Sequence, residues 1–127
     1  MLSGMKELDE IMNGWSRGEE LAILLARPNQ GKSWMLLKFA MLVWLQNYNV
    51  GFYSGEMSPN LLGYRFDTLL KGFSNKGLMT GSPELYENYL KYIEDLKASK
   101  VLFNVVEPKD LHGRATIPKL KSFVEKF

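Results

Sequence analysis

The sequence predicts an α/β fold in which a parallel sheet is flanked by helices. Two observations predict it. Short apolar runs of strand length, at residues 21–25, 50–53 and 101–106, alternate with longer segments whose apolar residues recur at helical spacing. The connections between them carry Gly, Pro, Asn and Ser, the residues that set turns and helix starts.

The elements follow in order. Residues 8–12 read as one short helical turn. Residues 21–25, Leu-Ala-Ile-Leu-Leu, form the first predicted strand. Residues 32–46 form a helix with apolar side chains on nearly every side, so it is expected to be well buried. Residues 49–54 form the second strand. Residues 59–73 form an amphipathic helix whose core stripe is Leu61, Leu62, Phe66, Leu69 and Leu70. Gly72, Ser74, Asn75, Gly77, Gly81 and Ser82 mark a loop. Residues 83–99 form a helix with Ser82 as N-cap and Pro83 in its first turn. The stripe Leu85, Tyr89, Tyr92, Ile93 and Leu96 faces the core. Residues 101–106 form the third strand. Thr116 is expected to cap a last helix over residues 117–127, with Pro118 in its first turn. No internal repeat, linker or low-complexity segment interrupts this order.

Composition restricts the classes of function. Hydrophobic residues make up 46% and charged residues 24% of 127, which suits one globular unit with its own core. The absence of cysteine excludes disulfides and favours a reducing compartment. The start, with Ser3, Lys6, Glu7 and Asp9, is too polar for a signal peptide. The apolar stretch 34–45 is too short to cross a bilayer, and Lys38 interrupts it. A net charge of +2 does not point to nucleic acid, because the late lysines and Arg114 are mixed with acids. His112 stands alone in a predicted surface loop, with no partners for a metal site.

The segment Ala26-Arg27-Pro28-Asn29-Gln30-Gly31-Lys32-Ser33 carries the chemistry. It joins the first strand to a helix and ends in Gly-Lys-Ser, the pattern of a phosphate-binding loop. Successive backbone N–H groups wrap an anion there, and the helix N-terminus adds its positive end. Lys32 is expected to reach the outer phosphates of ATP, and Ser33 to offer its hydroxyl to Mg²⁺. The alternative is an ordinary strand–turn–helix connection with Ser33 capping the helix. The general pattern opens with Gly where this chain has Ala26.

The wider order identifies a family. Ser3-Gly4 with Leu8-Asp9 stands upstream. Gly55-Glu56-Met57 closes the second apolar run, and Arg65 lies nine residues after Glu56. This resembles the C-terminal motor domain of DnaB-type replicative DNA helicases. That family also carries Ala-Arg-Pro in its nucleotide loop, so Ala26 agrees with it. The resemblance implies a partial RecA-like P-loop NTPase over residues 1–127, a single incomplete domain. The metal-site strand is expected to begin just beyond Phe127, and the later strands, DNA loops and arginine finger further on. It also implies that two strands normally insert between the first and second runs, so an apolar gap in the sheet is expected.

The resemblance implies that Glu56 positions the water that attacks the γ-phosphate. A solvated loop carboxylate, or one capping the helix that follows, is the alternative. Arg65 matches a family arginine, and a helix-surface ion pair is its other reading. For the parent protein the resemblance implies an ATP-dependent helicase that forms a homo-hexameric ring and moves on single-stranded DNA in the cytoplasm. A primase or helicase loader is an expected partner, with no membrane. The DNA contacts would come from regions outside this chain, and the chain alone is expected to be inactive. A non-catalytic nucleotide-binding or helicase-assembly module complete at 127 residues stays open, as does a RadA-like or KaiC-like ATPase.

Overall fold

The computed structural model describes residues 1–18 and 20–125. Glu19, in the polar turn before the first run, and Lys126 and Phe127, at the end of the last predicted helix, lie outside the described residues. The element order is α1 (Lys6–Met12), α2 (Lys32–Leu45), β1 (Val50–Tyr53), α3 (Pro59–Lys71), α4 (Asn75–Thr80), α5 (Pro83–Lys97), β2 (Phe103–Val106) and α6 (Ile117–Val124). A 3-10 turn, Pro108–Leu111, follows β2. β1 and β2 pair in parallel, with Val50 opposite Phe103 and Tyr53 opposite Val106. The fold class is mixed α/β, as the alternation of runs predicts.

The core lies where α2 and α3 cover one face of this ribbon. Leu37, Met41, Phe52, Leu62 and Phe66 form its buried cluster. Phe66 stands 4.7 Å from the ring of Phe103 and 5.5 Å from that of Trp44. The indole N–H of Trp44 donates to the carbonyl of Val101 at 3.0 Å, so an α2 side chain also ties down the approach to β2. Ser58 caps α3 by accepting from the Leu61 N–H at 3.4 Å, and Gly72 closes it in the left-handed region at φ 73°.

Several sequence expectations are corrected. Residues 21–25 are not a strand; they have no regular secondary structure, and Leu21, Ile23 and Leu25 are largely exposed. A strand exists only with a ladder partner, and the sheet of the described residues is the β1–β2 pair. A cleft of ≈ 680 Å³ stands beside this segment, lined among others by Ile23, Leu24, Leu36, Phe39 and Phe52. Alternate residues of a parallel strand point their backbone groups to the same side. Val50 and Ser54 donate to the β2 side, so the N–H groups of Gly51 and Tyr53 face away from it. This cleft lies where the resemblance puts the gap in the sheet. It also explains why α2 is less buried than its composition predicts. Leu37 and Met41 are its only buried residues, while Leu36 and Leu45 are about half exposed.

The expected loop over residues 72–82 contains helix α4, started by the Ser74 hydroxyl, which accepts from the Gly77 N–H at 3.1 Å. Local hydroxyl capping outweighs the low helix propensity of Gly77 there. Ser82 and Thr116 make no side-chain cap bond. The tyrosine stripe of α5 packs inward as predicted, but through a polar contact. Asp67 of α3 is buried, and both Tyr89 and Tyr92 donate their hydroxyls to its carboxylate at 2.7 Å. Phe73 packs between these two rings at 5.3 and 5.5 Å.

This clamp makes stability depend on pH. Burial, with the hydrogen bond and negative charge of Asp67, pushes both tyrosine hydroxyls well above their ordinary value of 10.0. A group whose folded value is raised contributes stability that is complete below its unfolded value and lost as pH rises past it. The urea midpoint therefore falls as pH rises above about 10. The fall is shallower in the double variant Tyr89→Phe, Tyr92→Phe. Tyr92→Phe alone costs about 1–3 kcal/mol at neutral pH, because it takes a donor from a buried carboxylate. An alkaline slope equal in both proteins overturns this account.

Candidate functional site

The loop that precedes α2 takes its shape from two left-handed residues, Asn29 at φ 60° and Gly31 at φ 80°. Gly31 is the N-cap residue of α2, and its carbonyl accepts from the Met35 N–H at 2.9 Å. Ser33 therefore lies inside the helix and does not cap it. No side chain caps this helix start. The first N–H groups of a helix have no intrahelical acceptor, so those at the start of α2 stay open to a ligand, and the helix adds its positive end. A β-carbon on Gly31 would meet nothing within 4 Å, so the space beside the loop is open. Ala26, Arg27, Pro28, Asn29, Gln30, Gly31 and Lys32 are all exposed, and Ser33 is half-buried. This donor set suits a phosphate group.

The facing wall is the turn that leaves β1. Ser54 is buried, and its N–H donates to the carbonyl of Val106 at 2.9 Å. Its hydroxyl accepts from the Met57 N–H at 3.0 Å and donates to the Met57 carbonyl at 2.8 Å. One side chain thus closes the turn on itself and presents Gly55 and Glu56 at its tip. Ser54 is the structural residue that sequence reasoning did not single out; an apolar run ending in Ser two residues before a Glu was the available signal. Glu56 is exposed and does not cap α3, because Ser58 does.

A cleft of ≈ 290 Å³ is lined by both Ser33 and Glu56, together with Ser54, Gly55, Met57, Leu36, Phe52 and Tyr53. The fold thus brings the hydroxyl at the start of α2 and the carboxylate after β1 to one opening. Lys32 and residues 26–31 do not line it. Neither Lys32 nor Glu56 makes an ion pair among the described residues.

Other acids serve the fold. Glu107, at the end of β2, pairs with Lys109 and forms a reciprocal cap with Asp110 over the 3-10 turn. Among the described residues no three His, Asp or Glu groups gather as a metal cluster. His112 is exposed in the left-handed region at φ 54°, closing the 3-10 turn. Among the described residues Arg65 makes no ion pair; its guanidinium lies 5.0 Å from the ring centre of Trp34. That stack replaces the surface ion pair as its structural role.

A family model described as the DnaB-like helicase C-terminal domain matches residues 1–115. No curated protein and no solved structure matches the chain.

The loop geometry separates two glycines. Gly31→Ala forces a side chain into the left-handed region and costs about 1–2 kcal/mol. Gly63→Ala, inside α3 and also with open space around it, stabilises by about 0.5–1 kcal/mol. Urea midpoints of the two variants are expected to move in opposite directions. Equal shifts would show that the left-handed turn at Gly31 is not required.

Proposed function

The chain belongs to the DnaB-like helicase C-terminal domain family, a RecA-like fold, and we propose that it is the ATP-holding part of a ring-forming replicative helicase. The observation that carries this reading is the shared cleft of Ser33 and Glu56 beside an uncapped helix start. Residues 26–31, Pro28 apart because it carries no N–H, wrap the phosphates with backbone N–H groups. Lys32, exposed and without an ion pair among the described residues, swings onto the outer phosphates and neutralises charge as the γ-phosphate departs. Ser33 holds Mg²⁺ through its hydroxyl. When bound, such an ion would offset the charge that develops on the phosphates. Glu56, across the cleft, accepts a hydrogen bond from the attacking water and aligns it with the γ-phosphorus.

The described residues bring one carboxylate to this cleft. Turnover by the usual phosphoryl-transfer machinery needs a second acid near the metal and an arginine at the γ-phosphate. The reading therefore assigns nucleotide holding to this chain's own residues and hydrolysis to the assembled ring. In that ring the nucleotide state is coupled to single-stranded DNA in the channel, and a primase or loader docks on the assembly. The reading is of a motor that works in the cytoplasm. No helix of the described residues is long and apolar enough to cross a membrane. The one-carboxylate cleft also favours a second reading, a nucleotide-binding or assembly module without turnover.

Two variants test the assignment. Lys32→Ala is expected to weaken binding of fluorescent Mg-ATP at least tenfold, a loss of about 1.4 kcal/mol or more. Binding equal to that of the unmodified chain would refute the loop. Glu56→Gln keeps nucleotide affinity, because the water and not the nucleotide is its partner. In the assembled ring it removes most ATP turnover, by about a hundredfold or more. Unchanged turnover in a ring carrying that substitution would end the role of Glu56 and leave the loop standing.

A further inference from the structure

Arg65 makes a contact that the nucleotide loop alone does not explain. Its guanidinium lies over the Trp34 ring at 5.0 Å, within the range of a cation–π attraction. Trp34 directly follows Ser33 in the first turn of α2. Arg65 sits in the second turn of α3, the helix that starts three residues after Glu56. The stack therefore ties together the two walls of the cleft, one carrying Ser33 and the other Glu56.

The surroundings of Arg65 favour this role over an ordinary surface one. Its Nε is buried without a hydrogen-bond acceptor, and no carboxylate pairs with it among the described residues. A buried donor without a partner costs stability, and a cation beside a helix N-terminus is disfavoured by the helix dipole. Packing of an aliphatic arm would not call for a guanidinium here. Holding an indole face does call for a cation, because the ring face attracts positive charge. The core contact of Leu37 with Leu62 and Phe66 fixes how closely α2 and α3 pack. The Arg65–Trp34 stack fixes the ends nearest the cleft.

We propose that Arg65 is a positioning residue: through its stack on Trp34 it sets the separation of Ser33 from Glu56 and so the fit of the cleft to a magnesium–nucleotide. This rests on the ATP-holding reading of the same site. It assigns no contact between Arg65 and the nucleotide.

The test uses the full chain labelled with 5-fluorotryptophan, whose three tryptophans give three ¹⁹F resonances. Trp34→Leu identifies the Trp34 signal and removes the other half of the stack. Fluorescent Mg-ATP affinity is measured for the unmodified chain, Arg65→Met, Arg65→Lys, Trp34→Leu and the double variant Arg65→Met, Trp34→Leu. Mg-ATP is expected to shift the Trp34 resonance in the unmodified chain. Arg65→Met is expected to move that resonance without nucleotide and to weaken binding about fivefold, the scale of one lost cation–π contact. Arg65→Lys restores most of the affinity. The double variant binds no worse than Trp34→Leu, because both changes remove one contact.

Additive losses in the double variant would overturn the inference, as would Arg65→Met binding at full affinity. Should Arg65→Met fail to fold, Arg65→Lys and Trp34→Leu decide. Positioning requires Lys to hold affinity within about twofold and Leu to lose about fivefold; any other pair of results sinks it. If the unmodified chain does not bind Mg-ATP, or Lys32→Ala binds it equally well, the nucleotide reading itself falls. That failure is distinct from one confined to Arg65.

Discussion

The packing of α2 on α3 is the contact on which the rest of this structure depends. Leu37 is fully buried and Leu62 nearly so, and with Phe66 they press both helices onto Phe52 and Phe103 of the two strands. A two-stranded ribbon has too little apolar face to stand alone. Here it is held because two helices share one of its faces. The loop before α2 and the turn before α3 inherit their positions from that contact. The cleft between Ser33 and Glu56 is lined by the start of α2 and the turn before α3.

A second, polar device attaches the remainder. α5 is strongly amphipathic, but its anchor is the Asp67 carboxylate with two tyrosine hydroxyls on it. Such an arrangement is costly to bury and costly to break, since each hydroxyl satisfies a charge that would otherwise lie unpaired. The rings of Phe73, Tyr89 and Tyr92 surround it and exclude water. The N-terminal segment is tied on in a similar polar way. Asp9 accepts from the Ser3 and Gly4 N–H groups at 2.6 and 3.1 Å, and the Gln46 side chain bridges Leu2 to the end of α2. Its proximity to Trp15 and Phe39 places it against the unfilled side of α2.

That unfilled side bears on function. The cleft beside residues 21–25 is lined almost entirely by apolar side chains, and the free edge of β1 opens into it. Apolar surface and unpaired backbone groups on this scale are unfavourable in water. Residues 26–31 join the segment beside this cleft to α2, whose first turn lines the smaller cleft through Ser33.

Much of this was legible in the residues, and particular interactions explain what was not. Gly31, Lys32 and Ser33 could be read as a phosphate loop because the chemistry is local: a left-handed turn, a helix start and a cation follow from adjacent residue types. β1, β2, α3 and α5 were legible because their periodicity is local too. Residues 21–25 have the composition of a strand as plainly as residues 50–53 do. Whether either becomes one depends on a hydrogen-bonding partner distant in sequence, and only the second finds it among the described residues. Helix α4 was hidden by its glycines, because a single hydroxyl cap decides its start. Asp67 with its tyrosines, and Arg65 with Trp34, join residues of different helices, and no spacing rule relates them. The sequence by itself thus determined the fold class and pointed to the loop and the acid that the proposal uses. Tertiary structure alone decided which apolar run joined the sheet, and that Ser33 and Glu56 share one cleft. Ladder pairing and helix packing are long-range contacts, and they, not local propensity, set the distances between elements.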